Sequence, residues 1–404
     1  MAEISSLFRT GDSKNRVDAV FVAEGYTFAE RDKFFSDAAA VSDYLFSPSN
    51  RMLNDPLSTY RSLFNSWAAF TPSNQSGYDT NSASVDTAFD ASAHLADGRL
   101  VYGDNAKVTS FLSTSFQSDQ RDMVIVLVNS SNYGGAGGSV AWTTAGNKNS
   151  YEVALHELGH SFARLQDEYV DLANANLYPL SALSSSAHVA TTNNLSLVPW
   201  KDWIGYSDTL GVVGAYEGGY YRDQGIWRAT ATSKMKDLGQ PFSAPEKEAW
   251  IDQIYQTIGD YLSLARPTFV SFDATTPSDG LLRFKWTVNG VEQASSLTSK
   301  MSIDSYLAGL SDGNYSLNVR LSTSDATGML RKQAALNDST QQESLTFTVT
   351  KKALGNGDDI FTAIAGANNA IFAAAGNDKI TLGVGQNYVD GGDGIDSVKL
   401  TGKV

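Results

Sequence analysis

Over roughly the last fifty residues, a large apolar side chain recurs at nine-residue steps, the first stretched to ten: Phe361, Ile371, Ile380, Val389 and Val398. The blocks run 354–362, 364–372, 373–381, 382–390 and 391–399. The last, GGDGIDSVK, matches G-G-x-G-x-D-x-U-x in full, and the other four match in part. A linker has no reason to keep such a period, so residues 353–404 are expected to form a parallel β-roll. Alternate turns of a roll lie on opposite sides. The sixth positions then sort into a column of Asp359, Asp378 and Asp396 on one side and Asn369 and Asn387 on the other. Stacked carboxylates between glycine turns offer hard oxygen ligands that suit calcium. The three aspartates are candidate calcium ligands, and the asparagine side is expected to bind poorly.

The chain has 404 residues, which predicts two or three domains, and 42% of them are hydrophobic and 11% aromatic, enough for real cores. It has no cysteine. Disulfides and thiolate metal sites are excluded, and any metal must be held by histidine and carboxylate. A net charge of -14 and a pI near 4.7 argue against nucleic acid or an anionic membrane as partner. No apolar run is long enough to span a bilayer. The opening MAEISSLFRTGDSKNRVD lacks the apolar core of a signal peptide.

Residues 1–265 read as α/β. VDAVFVAE, Val17 to Glu24, is a strand ending at Gly25, and Thr27 is placed to cap a helix running to Phe46. MVIVLV, Met123 to Val128, suits a buried central strand. The glycine-rich run from Tyr133 to Gly138 lacks a following Lys-Ser/Thr pair, so it is no P-loop and reads as a flexible or edge-strand segment beside a cleft. Asn149 to Phe162 reads as an amphipathic helix, with Asn149 and Glu152 spaced like a capping box. Ala244 to Leu264 reads as a closing helix. Beyond Arg266-Pro267 the pattern alternates, with Asn289-Gly290 and Asp312-Gly313 turns, which predicts a small antiparallel β-sandwich over 266–352.

The chemistry concentrates in H-E-L-G-H, His156 to His160, which uses two of only four histidines. On a helix, residues four apart share a face about 6 Å apart along the axis. Two imidazoles there can grip one zinc ion, and Glu157 beside them can act as general base. A third ligand is needed. Asp167 and Glu168 follow His160 by seven and eight residues, and a straight helix would carry them about 10 Å away. The helix must break near Ala163 to Gln166 and turn back. Asp167 ranks first, Glu168 second and His188 third; His94 has no supporting context. Tyr169, Tyr220 and Tyr221 are candidate oxyanion donors, among which the sequence does not choose.

Two resemblances extend this reading. The nine-residue repeats resemble the RTX family of calcium-binding repeats, which implies export by a Gram-negative type I system and folding on calcium outside the cell. HELGHSFARLQDEY resembles the signature of the IgA-peptidase family of metallopeptidases, placed among metzincin-like proteases. VDAVFVAEGYTFAERDKFFSDA, DMVIVLVNSSNYGGAGG and IWRATATSKMKDLGQPFSAPEKEAW resemble further stretches of that family. The resemblance implies a metzincin-like catalytic domain, His156, His160 and Asp167 as zinc ligands, Glu157 as catalyst, and Met235 in a methionine turn beneath the metal. Where the family has glycines after the second histidine, this chain has Ala163-Arg164. The combined expectation is a secreted, monomeric zinc endopeptidase of protein or peptide substrates, with structural calcium. Its rivals are a calcium-dependent adhesion or binding protein on an inactive protease fold, and a zinc hydrolase of a non-protein amide.

Overall fold

Val17–Glu24 (β2) is buried along its whole length, as a strand must be when helices cover both faces of its sheet. Glu3–Phe8 (β1) and Phe64–Phe70 (β3) lie to one side of it; Met123–Val128 (β4), Gly135–Ala136 (β5) and Ala141–Thr144 (β6) lie to the other. The sheet order is β1-β3-β2-β4-β6-β5. The four inner strands are parallel, while β1 and β5 run antiparallel at the two edges. Arg31–Phe46 (α1) packs Phe34 and Phe46 against Phe70 and Phe64 of β3. On the opposite face, Val108 and Leu112 of Asn105–Ser113 (α2) join Val20, Val22, Val126 and Val128 in one apolar cluster. Ser150–Ser161 (α3) shares the α1 face, where the Tyr44 and Tyr151 rings lie 5.2 Å apart.

The structure is a computed structural model that describes residues 3–95, 97–258, 271–273, 281–296, 300–302, 304–323, 326–331 and 342–402. Two compact units divide the chain, Met1–Gly259 with Gly328–Ala335, and Asp260–Thr327 with Leu336–Val404. Among the described residues no helix is long and apolar enough to cross a membrane.

Local chemistry explains how α1 and α3 start. The Thr27 amide and hydroxyl both donate to the Glu30 carboxylate (2.8 and 2.9 Å), which closes a capping box on a short 3-10 turn before α1. Among the described residues no such box forms at α3, where the Asn149 side chain makes no capping hydrogen bond. Glu152 instead pairs with Lys234 and accepts from Tyr44 and from the Gly239 amide. A buried lysine outcompetes a backbone amide for a carboxylate, because an unpaired buried charge costs far more. The closing helix, Ala244–Thr257 (α4), starts on a box the sequence reading overlooks, with Ser243 N–H donating to Glu246. It is shorter than expected and stops at Thr257; residues 259–264 and the expected boundary at Arg266-Pro267 lie outside the described residues. Between α3 and α4, Val189–Ala190 (β7), Tyr216–Gly219 (β8) and Arg222–Arg228 (β9) form a small antiparallel sheet in the order β8-β9-β7.

In the second unit, Leu282–Val288 (β10), Val291–Ser296 (β11), Gly313–Thr323 (β12) and Gln342–Ala353 (β13) form an antiparallel array ordered β11-β10-β12-β13. The Asn289-Gly290 turn joins β10 to β11 with both residues left-handed, as a tight hairpin requires. The array does not stop where the repeats begin. β13 pairs in parallel with Asn368–Phe372 (β15), and β15 with Asn387–Asp390 (β17). Ile360–Thr362 (β14), Lys379–Leu382 (β16) and Ser397–Leu400 (β18) make a separate parallel sheet. Successive repeats thus alternate between two sheets, enclosing Ile371, Ile380 and Leu382 with Phe361 and Val389 beside them.

This organisation differs from the three segments 1–265, 266–352 and 353–404 that the sequence suggests. The backbone ladder between β13 and β15 joins the second and third. Part of the second belongs with the first unit: the Arg331 amide donates to Glu248 (2.6 Å), and its guanidinium lies 4.7 Å from the Trp203 ring and 4.6 Å from that of Tyr206.

Candidate active site

α3 presents His156 and His160 one turn apart on the wall of a cleft of about 640 Å³. The helix ends at Ser161, and the chain reverses through Arg164 at φ 58°, a left-handed conformation that costs a non-glycine residue on the order of 1 kcal/mol. The Leu165 amide reaches back to the Gly159 carbonyl at 2.9 Å. The return path is then held by the Glu168 amide on the Met235 carbonyl and the Tyr220 amide on the Asp167 carbonyl, both 2.9 Å. No glycine is needed for the turn.

The reversal brings three ligand atoms to one point. His156 Nε2 lies 3.1 Å from His160 Nε2 and 3.1 Å from Asp167 Oδ1; His160 Nε2 lies 3.3 Å from that oxygen. Two ligands bound at about 2.1 Å to one tetrahedral ion stand about 3.4 Å apart. The opposite ring nitrogens fix the tautomers. His156 Nδ1 faces the Lys234 carbonyl (3.1 Å) and His160 Nδ1 the Leu165 carbonyl (2.8 Å). A carbonyl only accepts, so both Nδ1 atoms carry hydrogen and both Nε2 lone pairs point at the carboxylate. Such a convergence demands a positive charge. Without metal a proton answers it: burial disfavours the His160 imidazolium, but Asp167 overrides this and lifts its pKa to about 9. Burial would raise the Asp167 carboxyl, and the imidazoles instead hold it far below the usual range. The donor set fits a small divalent cation.

Glu157 lies within 4.8 Å of both imidazoles, and its carboxylate has no hydrogen-bond partner among the described residues. Burial pushes its carboxyl above the ordinary value, with the imidazoles opposing. Met235 is fully buried beneath the site, and a Cβ on Gly159 would come within 2.9 Å of its Sδ. Glycine at that place lets the sulfur seat against α3.

The other two candidates for third ligand go elsewhere. Glu168 and His188 are both buried and meet Glu246 and Ser233. The Gln166 amide donates to His188 Nε2 (3.0 Å), so the ring hydrogen sits on Nδ1 and points at Glu168 Oε1 (2.9 Å). No imidazole lone pair remains for a metal there. Burial, with Glu246 close by, pushes the Glu168 carboxyl above its ordinary value. His94 is exposed and stacks on Tyr102 at 3.6 Å. Of the three tyrosines, Tyr221 donates its hydroxyl to Asp167 Oδ2, Tyr220 reaches the Pro179 carbonyl at 3.4 Å, and Tyr169 packs edge-on against Tyr221. Sequence patterns carry no signal for the Lys234 and Leu165 carbonyls, or for Gly137, where a Cβ would lie 2.5 Å from His160 Cβ.

In the second unit, Asp359, Asp378 and Asp396 stack. The Asp359 amide donates to Asp378 Oδ1 (2.8 Å) and the Asp378 amide to Asp396 Oδ1 (2.9 Å). Among the described residues Asp378 Oδ2 is buried without a hydrogen-bond partner, an orphan that a cation would satisfy. The opposite side is already complete. Asn369 Nδ2 donates to the Ile364 and Ala367 carbonyls (both 3.1 Å) and to Asn387 Oδ1 (2.7 Å); Asn387 Nδ2 donates to the Gly383 and Gly385 carbonyls (both 3.2 Å). Amide hydrogens there occupy the turn carbonyls.

A glutamate beside paired imidazoles on the wall of an open cleft is the constellation of a peptidase. The family model described as IgA Peptidase M64 matches residues 5–212, just over half of the 404, and the chain belongs to that family. The match includes α3 and Asp167 and stops short of Met235. No curated protein matches the chain.

Proposed function

We propose that this peptidase is a zinc-dependent endopeptidase acting on protein or peptide substrates outside the cell. The observation that carries the reading is the meeting of His156 Nε2, His160 Nε2 and Asp167 Oδ1 within 3.3 Å of one another, both imidazoles being held by carbonyls in the tautomer that offers Nε2. Two imidazoles and a carboxylate with an open side suit catalytic zinc. When bound, zinc supplies Lewis acidity, acidifying water and polarising a scissile carbonyl. Glu157 takes the proton of the attacking water and returns it to the departing amine. Its unpartnered carboxylate and raised pKa suit both steps. Tyr221 orients Asp167 through Oδ2, and Met235 supports α3 from below. The cleft leaves room for an extended peptide along Tyr133 and Gly135 to Gly138.

We extend the reading to the tail. The aspartate column with its orphan oxygen fits calcium, as a β-roll on the RTX pattern would hold it, and a calcium-dependent tail supports secretion by a type I route. The direct test is hydrolysis of casein by the full chain. Cleavage should stop with 1,10-phenanthroline, return with added zinc, and be absent in Glu157→Gln. Cleavage indifferent to the chelator would overturn the zinc assignment.

A further inference from the structure

Asp167 must hold its carboxylate in place on a chain that has just left a helix through a left-handed arginine. Among the described residues its own backbone has one partner, the Tyr220 amide. The residues on either side are gripped by a single ring. His188 accepts from the Gln166 amide with Nε2 and donates to Glu168 Oε1 with Nδ1, at 3.0 and 2.9 Å. The ring is fully buried. The grip continues to the turn that carries Met235: the Ser233 hydroxyl lies 2.8 Å from Glu168 Oε2 and 2.7 Å from Glu246 Oε1, and it accepts the Met235 amide at 3.1 Å. Glu246 is tied in turn to the start of α4 through the Ser243 amide. One neutral imidazole therefore spans the two neighbours of the third ligand and joins them to the methionine turn.

We infer that His188 is a positioning residue for Asp167, setting the reach of its carboxylate toward His156 and His160. The inference rests on the metal reading above. Neutral imidazole suits the task because it accepts on one edge and donates on the other, about 2 Å apart across a rigid ring. A hydrophobic residue of similar size fills the space and does neither. An asparagine is too short to reach both Gln166 and Glu168. The effect is that of an outer-shell partner, for which losses of about 10–100-fold in metal affinity are usual.

The test is a double-mutant cycle on the full chain, with zinc affinity read by competition against a chromophoric chelator. Zinc binding by the unsubstituted chain tests the metal reading by itself; the cycle tests His188. His188→Phe should weaken zinc about 10-fold or more when Asp167 is present, and less than about 3-fold in the Asp167→Ala background, because the carboxylate it serves is gone. An equal loss in both backgrounds, or no loss in either, overturns the proposal. Should the phenylalanine variant not fold, His188→Asn carries the same cycle, and the same two outcomes decide it.

Discussion

The Tyr221 hydroxyl donates to Asp167 Oδ2, the carboxylate oxygen that the two imidazoles leave free. Tyr221 holds this position from a left-handed backbone, φ 67°, in the turn between β8 and β9. A strained residue that hydrogen-bonds a ligand reads as part of the site. Tyr221→Phe keeps the packing against Tyr169 and Tyr178 and removes only the donor. Zinc affinity should fall about 10-fold, measured by chelator competition, with the melting temperature nearly unchanged.

Glu157→Gln should leave zinc content intact and lower kcat by about 10²–10⁴-fold, the usual contribution of a positioned general base. Metal analysis alongside casein hydrolysis separates a lost base from a lost ion. Full activity in a zinc-loaded variant would remove Glu157 from the mechanism.

Gly137 lies where any Cβ would press on His160. Gly137→Ala should therefore displace the imidazole and cost about 10²-fold in kcat/KM, as misplacement by about 1 Å does, while overall stability changes little. A normal rate would show that the glycine-rich edge yields without moving His160.

The first unit should lose stability as pH rises from about 4 to about 7, in part because of Asp122. Burial, with Asp18 and Asp119 nearby, pushes its carboxyl from 3.8 up to about 7. The folded state then holds a proton that the unfolded chain has released, so between these values unfolding becomes easier as pH increases. Asp122→Asn keeps an acceptor for the Asp18 amide, which now meets Asp122 Oδ2 at 2.8 Å, and cannot ionise. It should stabilise the protein by on the order of 1–3 kcal/mol at pH 8 and hardly at all at pH 4, read from chemical denaturation at both.

Calcium should raise the melting temperature of the tail in the full chain, since a ligand at 100 times its Kd adds about 2.7 kcal/mol. Asp378→Ala should abolish the calcium-dependent rise. Asn387→Ala should lower the calcium-free stability and leave the rise intact, because the asparagine side is closed by its own amides.

How much of this is legible in the sequence depends on how local its cause is. β2, α1, β4 and the Asn289-Gly290 hairpin follow from short-range periodicity and turn chemistry. His156, Glu157 and His160 are readable because four residues of helix fix their spacing. Asp167 is readable only as a need, since its arrival depends on Arg164 accepting a left-handed turn and on amides from Tyr220 and Glu168 that no spacing encodes. Glu152 misleads because its position matches a cap while its partner, Lys234, lies 82 residues away. The role of His188 is invisible for the same reason: its contacts at Gln166 and Glu168 lie 22 and 20 residues back.

The β13–β15 ladder gives the repeats a foundation. A coil added to a bare chain must organise itself before any neighbour rewards it, whereas one laid against Val349–Ala353 finds a finished template of donors and acceptors. Ordering then has a direction, proceeding away from β13 through β15 to β17. The antiparallel array serves as the anvil on which the terminal winding is shaped.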